Sequence, residues 1–459
     1  MIGKSIQPEI EGLIRARDFA TLREVVDDLL VPDFAELISD IEPQDRAVVF
    51  RLLPKQRATE VFEYLSHESQ RELLEAMAKE DVSAILNDMR PDDRTALLEE
   101  LPAPVARDLI ARLSLEERRI AQALLGYPEE SIGRLMTLDY VAVREDWTVE
   151  QVLASIREHG KDSETLNMIY VVNEGGKLID EIRIREILLA QPQTAVRDLM
   201  DGKFIALSAT DDRETAVHVF DRYDRVAFPV TDSEGILVGI VTVDDVLGVA
   251  QAESTEDQQK FGGMEHLDAP YMDTAFFRMV KKRAGWLVIL FLSEMLTATA
   301  MGFFEQEIAR AVVLALFVPL IISSGGNSGS QASTLVIRAL ALGEITLADW
   351  WRVMRREVLS GLTLGAILGT IGFLRIAIWS AVSPIYGEHW ILVGMTVAFS
   401  LVGVVMWGTL AGSMLPFLLK KLGADPAASS APFVATLVDV TGLIIYFTTA
   451  MAIMSGKML

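Results

Sequence analysis

PFVATLVDVTGLIIYFTTAMAIM, residues 432–454, is long and apolar enough to cross a lipid bilayer, and it carries a single charge, Asp439. Hydrocarbon about 30 Å thick needs roughly 20 apolar helical residues to traverse it, so the stretch predicts a membrane span that begins at Pro432. At 1.5 Å per residue, Asp439 lies roughly 10 Å beyond that end. A carboxylate at such depth is costly unless it faces a cavity or a partner. Set in Leu437-Val438-Asp439-Val440-Thr441-Gly442, it would bind a cation well, and with its copy across a two-fold axis it would form an acidic ring. The competing expectation is a hydrogen-bonded Asp that serves helix packing.

Working outward, four more stretches have spanning length: Ala284 to Phe304, Ala311 to Leu342, about Val358 to Val382, and Trp390 to Leu419. Loop charges give an independent count through the excess of Lys and Arg on the cytoplasmic side. Lys281, Lys282 and Arg283 precede the first span, Arg352, Arg355 and Arg356 separate the second and third, and Lys420 and Lys421 follow the fourth. The remaining connections hold little positive charge. The alternation predicts five spans with the N-terminus inside and the C-terminus outside, and an odd number predicts a pore completed by a second subunit.

The second stretch contains Pro319 and the run Ser323-Ser324-Gly325-Gly326-Asn327-Ser328-Gly329-Ser330-Gln331. Each interior glycine costs a helix about 1 kcal/mol. The run therefore predicts a break whose carbonyls and Asn327 line an aqueous path; the alternative is close helix packing of the Gly-x-x-x-Gly kind. No Lys follows the glycines, which excludes a phosphate-binding loop. Glu294, mid-span, is either a second cation site or half of a buried pair with Arg375. Arg338 and Glu357 lie near span ends, where long side chains reach back to water.

The rest of the chain is different in kind. Residues 1–280 hold 30 Lys and Arg against 56 Asp and Glu, whereas residues 281–459 hold 12 against 9. So acidic a front half repels nucleic acid and attracts cations. Met1 to Ala20 has no apolar signal core, so the front half is expected to stay in the cytoplasm. The absence of cysteine removes disulfides, zinc ribbons and thiol catalysis, and the five histidines have no ligand-like spacing. No nucleophile–base pair is evident, so an enzyme is not expected.

Ile41-Glu42-Pro43-Gln44-Asp45-Arg46 recurs 48 residues later as Met89-Arg90-Pro91-Asp92-Asp93-Arg94, with weaker echoes at Leu65 and Leu113 that give a period of 24. Residues 1–130 thus predict short helices stacked as a repeat domain that binds rather than catalyses. From Ser131 the pattern becomes β-branched. Met168-Ile169-Tyr170-Val171-Val172 and Ala227-Phe228-Pro229-Val230-Thr231 are matching strands, each followed by a turn and another strand. Here the chain resembles a pair of CBS (cystathionine-β-synthase-type) domains, at 131–200 and 201–250. The second copy ends Val238-Gly239-Ile240-Val241-Thr242-Val243-Asp244-Asp245. This matches the CBS pattern whose Thr and Asp contact adenine nucleotides, and it implies ATP near Ala227, Phe228, Thr242 and Asp245. The first copy departs from it, with Asp180 for Gly and Arg183 for Thr.

A polar helical connector at 251–283, with Glu253, Glu256 and Asp257, joins the pair to a membrane domain at 284–459. The fold class is therefore multidomain: an all-α helical-repeat domain, an α/β CBS pair and an α-helical transmembrane domain of five spans. In this order, with the Pro319–Gln331 run, Gly423-Ala424-Asp425-Pro426-Ala427 and Pro432 to Asp439, the chain resembles the MgtE family of Mg²⁺ channels over essentially its whole length. The resemblance implies a homodimer in the cell (plasma or inner) membrane, with a pore between copies of spans two and five. Asp439, Asn327 and Ala428 would line the pore, and Asp425 would brace the start of span five. It also implies cytoplasmic Mg²⁺ sensing by Asp92, Asp93, Asp244, Asp245, Glu253, Glu256 and Asp257, with bridging ions drawing acidic faces together and the connector closing the pore. Alternatives are a carrier of Mn²⁺ or Co²⁺, coupled to protons through Glu294, and a non-conducting CBS-regulated sensor.

Overall fold

The computed structural model describes residues 2–16, 18–161, 163–267, 271–272 and 274–455. The chain divides into two compact units, Met1–Ala250 and Gln251–Leu459.

The first unit begins with the repeat. Helices start at Val31, Lys55, Lys79 and Ala103, and their partners at Pro43, His67, Pro91 and Leu115, so each 24-residue period is a helix pair. The fourth residue of each partner helix explains the motif. Arg46 donates to the Ile41 and Ser39 carbonyls, Gln70 to Phe62, Arg94 to Leu86 and Met89, and Arg118 to Ile110 and Leu113. Each long side chain reaches back to carbonyls that the preceding helix leaves open at its C-terminus. Arg94 is fully buried and also pairs with Glu117.

The two CBS copies follow as matching three-stranded sheets: β1 (Ala142–Arg144), β2 (Met168–Val172) and β3 (Leu178–Arg183), then β4 (Leu207–Ser208), β5 (Ala227–Thr231) and β6 (Leu237–Thr242). In each, the outer pair is parallel and the hairpin antiparallel. Asp180 and Gly239 occupy equivalent hairpin positions, opposite Val171 and Val230. Gly239 lies against Thr137, whose backbone bridges to Ile240, and a Cβ there would sit 2.8 Å from the Thr137 oxygen. Asp180 instead accepts the Asp201 and Gly202 N–H groups at 2.9 and 3.0 Å, anchoring the turn between the copies.

Helix Val243–Phe261 carries the chain from the first unit into the second. The predicted connector does not continue as one helix to Lys281: Gly262-Gly263 stops it, with Gly263 at φ +73°. Part of the stretch beyond, 268–270 and 273, lies outside the described residues. The first spanning helix is Phe276–Phe303, so Lys281, Lys282 and Arg283 fall inside its opening turns. The others are Val318–Ala341, Trp350–Val382, Trp390–Lys421 and Ala431–Met454; all five are long and apolar enough to cross a membrane.

The second span is not broken. Val318–Ala341 is one continuous α-helix through Gly325-Gly326-Asn327, so the expected opening lined by backbone carbonyls is absent and the packing alternative holds. Spans two and four cross on four glycines: a methyl at Gly408 or Gly412 would overlap the carbonyl oxygen of Gly325 or Gly329. The lost helix propensity is offset by close backbone approach. Span three repeats the device with Gly361, Gly365 and Gly369 against Met406, Val402 and Ala398 of span four.

Candidate ion pathway and sensor site

Gly326, next to the crossing glycines, turns toward span five: a Cβ there would lie 3.4 Å from Ala435 and 3.8 Å from Asp439 Oδ1. Asp439 is half-buried beside Gly326, and the Glu294 carboxyl of span one lies within hydrogen-bonding reach of it. Glu294 therefore faces Asp439. Arg375, the other partner considered, sits on span three with its guanidinium 5.9 Å from the Trp379 ring. Asn327, beside Gly326, is exposed, and its amide reaches Ser323 Oγ at 3.4 Å.

Ala428 stands apart from this group, in the 3-10 turn Pro426–Ala428 that leads into span five. Asp425 caps the turn, accepting the Ala427 N–H at 2.8 Å, the bracing role expected of it. The polar run of span two also serves this turn: Ser330 and Ser333 donate to the Ala431 and Ser429 carbonyls at 3.2 and 3.1 Å.

In the first unit, Asp92 and Asp93 open helix Pro91–Glu100, and Asp244 and Asp245 open helix Val243–Phe261. Asp92 is buried, and its Oδ1 has no hydrogen-bond partner. Burial, then the Asp245 and Glu164 charges, push the Asp92 carboxyl well above its usual range. Burial followed by Asp92 and Glu63 pushes Asp93 up to about 8. Burial also pushes Asp245 up to about 7, against a hydrogen bond from Thr242 that favours its charge. Three residues that sequence reasoning missed complete the cluster. Glu63 and Glu164 are both raised by burial, and Arg90 pairs with Glu164 at 2.8 Å while its backbone N–H donates to Glu63 at 3.0 Å. The position of Arg90, directly before the Pro-Asp-Asp motif, was the available signal.

The expected nucleotide residues separate. Ala227 and Thr242 are register partners on β5 and β6 and share a face. Strand alternation turns the Phe228 side chain to the other face, fully buried and 4.7 Å from the Phe220 ring. Thr242 Oγ donates to Asp245 Oδ2 at 2.7 Å, linking this corner to the acidic cluster.

Of the connector acids, Glu256 is engaged by Lys260 Nζ at 2.5 Å; Glu253 and Asp257 lie on the same helix. Among the described residues, no three His, Asp or Glu side chains converge closely enough to cage a metal ion.

Five helices long and apolar enough to span a membrane, with a carboxyl pair between two of them and a CBS pair in the other unit, define a multi-pass membrane protein. Residues 318–449 match the MgtE family, described as a divalent cation transporter, residues 29–130 match the MgtE intracellular N domain, and 132–192 and 196–251 match CBS domains. The magnesium transporter MgtE of Thermus thermophilus is 41% identical over 96% of this chain and 97% of its own. That of Bacillus subtilis is 30% identical over 92% and 94%. The solved cytosolic domain of the Mg²⁺ channel MgtE in complex with ATP covers 53% of this chain and 99% of its own, with 37% identity and a TM-score of 0.51. The chain belongs to the MgtE family of magnesium transporters.

Proposed function

We propose that the protein is a homodimeric Mg²⁺ channel of the plasma (inner) membrane, N-terminus in the cytoplasm, in which Asp439 holds the hydrated ion. The observation that carries this reading is the carboxyl of Asp439 at the glycine-lined face of span two, with Glu294 as its only charged neighbour among the described residues. Two carboxyls together within the hydrocarbon repel one another once ionised, and a divalent cation relieves that cost. Mg²⁺ sheds water reluctantly, so a site with few direct oxygens suits it held through its waters. Asn327 offers a further oxygen beside the pair, and Ala428 lies at the cytoplasmic entrance.

Asp92, Asp93, Asp244 and Asp245, with Glu63 and Glu164, form the sensor, and Glu253 and Asp257 add acidic charge on the connector helix. The unpartnered Oδ1 of Asp92 and the raised Asp93 and Asp245 mark a site whose charges await compensation. Internal Mg²⁺ supplies it, the acidic faces close, and the connector shuts the pore. ATP binds at the second CBS copy, near Ala227, Thr242 and Asp245; the 37%-identical cytosolic domain solved with ATP supports this.

Competition in proteoliposomes tests the ion. Flux of Mg²⁺ should persist against equal Mn²⁺ or Co²⁺, because a hydrated-ion site discriminates by hydration rather than softness. Preferential Mn²⁺ or Co²⁺ flux would make the protein a carrier or channel for those ions, and no flux at all would leave a CBS-regulated sensor.

A further inference from the structure

Lys260 stands one residue before the end of the connector helix, and two carboxylates hold its ammonium: Glu256 at 2.5 Å and Asp425 Oδ2 at 2.7 Å. Asp425 uses both oxygens, since Oδ1 caps the turn Pro426–Ala428 through the Ala427 N–H. That turn leads into span five, whose N-cap Ser430 accepts from the Phe433 N–H and from the Trp286 indole of span one, the latter at 3.2 Å. Directly after the connector, Gly263 lies so close to the same indole that a Cβ would come within 2.7 Å of it and 3.3 Å of Pro432. The end of the connector is thus fastened to the entrance of span five at two points, one an ion pair and one a close steric fit.

Burial opposes the charge on Lys260, but its hydrogen bonds to Asp425 and Glu256 outweigh it and push the ammonium pKa up. The pair is about one-third exposed on each side, so it adds little to global stability. Its placement is what gives it a role. Withdrawing Lys260 would leave Asp425 Oδ2 without its ammonium partner, so that the capped turn loses its ion pair to the connector helix.

We propose that the Lys260–Asp425 pair is the latch by which the connector helix sets the position of the entrance turn Pro426–Ala428. Lys260 is then a positioning residue, and Glu256 orients its ammonium instead of holding a divalent ion. The inference rests on the reading of the chain as a Mg²⁺-inhibited channel.

The test is Mg²⁺ flux through the full-length protein in proteoliposomes, titrated with Mg²⁺ on the sensor side. Lys260→Met and Asp425→Asn should each raise the half-inhibiting Mg²⁺ concentration about 2- to 5-fold, the range of a partly exposed ion pair, while flux at low Mg²⁺ stays at the parent level. Lys260→Arg should restore the parent curve. Glu256→Gln should shift inhibition in the parent but add nothing in the Lys260→Met background. Should Lys260→Met fail to assemble, Asp425→Asn, which keeps an oxygen to cap Ala427, gives the same readout. Unchanged curves in both variants, or a full additional shift from Glu256→Gln on top of Lys260→Met, would overturn the latch. A parent that conducts without Mg²⁺ inhibition would instead remove the reading beneath it.

Discussion

Asp92, at the start of a repeat-domain helix, and Asp245, at the start of the helix that leaves the second CBS copy, bring their carboxyls into one buried cluster, where burial and then the Asp245 charge raise the pKa of Asp92. Arg90, beside them, makes its ion pair with Glu164. Folding thus places like charges together, an arrangement that a divalent cation stabilises and its removal loosens.

The pH dependence of stability follows from that cluster. Burial lifts Asp93 and Asp245 from the ordinary carboxyl pKa of 3.8 to about 8 and about 7. The folded state then binds protons that the unfolded chain has released, so their stabilising contribution is complete below about pH 4 and is lost as pH rises to about 8. Asp92, Glu63 and Glu164 shift in the same direction. In the presence of a chelator, the melting temperature of the full chain should fall between pH 5 and 8. Saturating Mg²⁺ should flatten the slope and release protons on binding. Calorimetric scans over that range check both; a chelated slope of opposite sign would refute the charge arrangement.

Neutralising the cluster should imitate part of the ion's effect. Asp245→Asn removes a repulsive charge and keeps an oxygen for the Thr242 hydroxyl. It should stabilise the chelated protein by on the order of 1–2 kcal/mol at pH 7.5 and shrink the Mg²⁺-induced rise in melting temperature. A larger Mg²⁺ effect in the variant would contradict the assignment.

Helix crossings in the membrane domain tolerate almost no added volume. Gly412→Ala forces spans two and four apart and should cost roughly 3 kcal/mol or more, with loss of assembled protein in detergent. Gly302→Ala, where a Cβ meets nothing within 4 Å, should leave assembly unchanged. Size-exclusion profiles after mild heating separate the two.

Glu294 faces Asp439 from another helix, so the two should act together. Glu294→Gln should lower Mg²⁺ flux several-fold, and in an Asp439→Asn background it should add less than its own single effect, as coupled neighbours do. Independent, multiplying losses would show that Glu294 acts elsewhere.

The membrane spans and the helix repeat were legible because each is a local pattern: apolar length in one case, a 24-residue period in the other. What misled the reading of Gly325-Gly326 was that its complement, Gly408 and Gly412, lies in another span, and a single helix does not show whether its glycines mark a break or a crossing. Asp439 and the Asp92–Asp93 and Asp244–Asp245 pairs stood out as charges in telling places. Glu63, Glu164 and Arg90 did not, because only tertiary packing brings them to the cluster. The facing of Phe228 was set by strand alternation, which puts its side chain on the opposite face from Ala227.

The most direct test of the proposed pathway is Mg²⁺ flux into proteoliposomes for the parent and for Asp439→Ala, each at low and high Mg²⁺ on the sensor side. The account predicts parent flux at low Mg²⁺, its suppression at high Mg²⁺, and a loss of at least tenfold in the variant with assembly unchanged. Full flux through Asp439→Ala would contradict it and leave the ion path somewhere other than the meeting point of spans one, two and five.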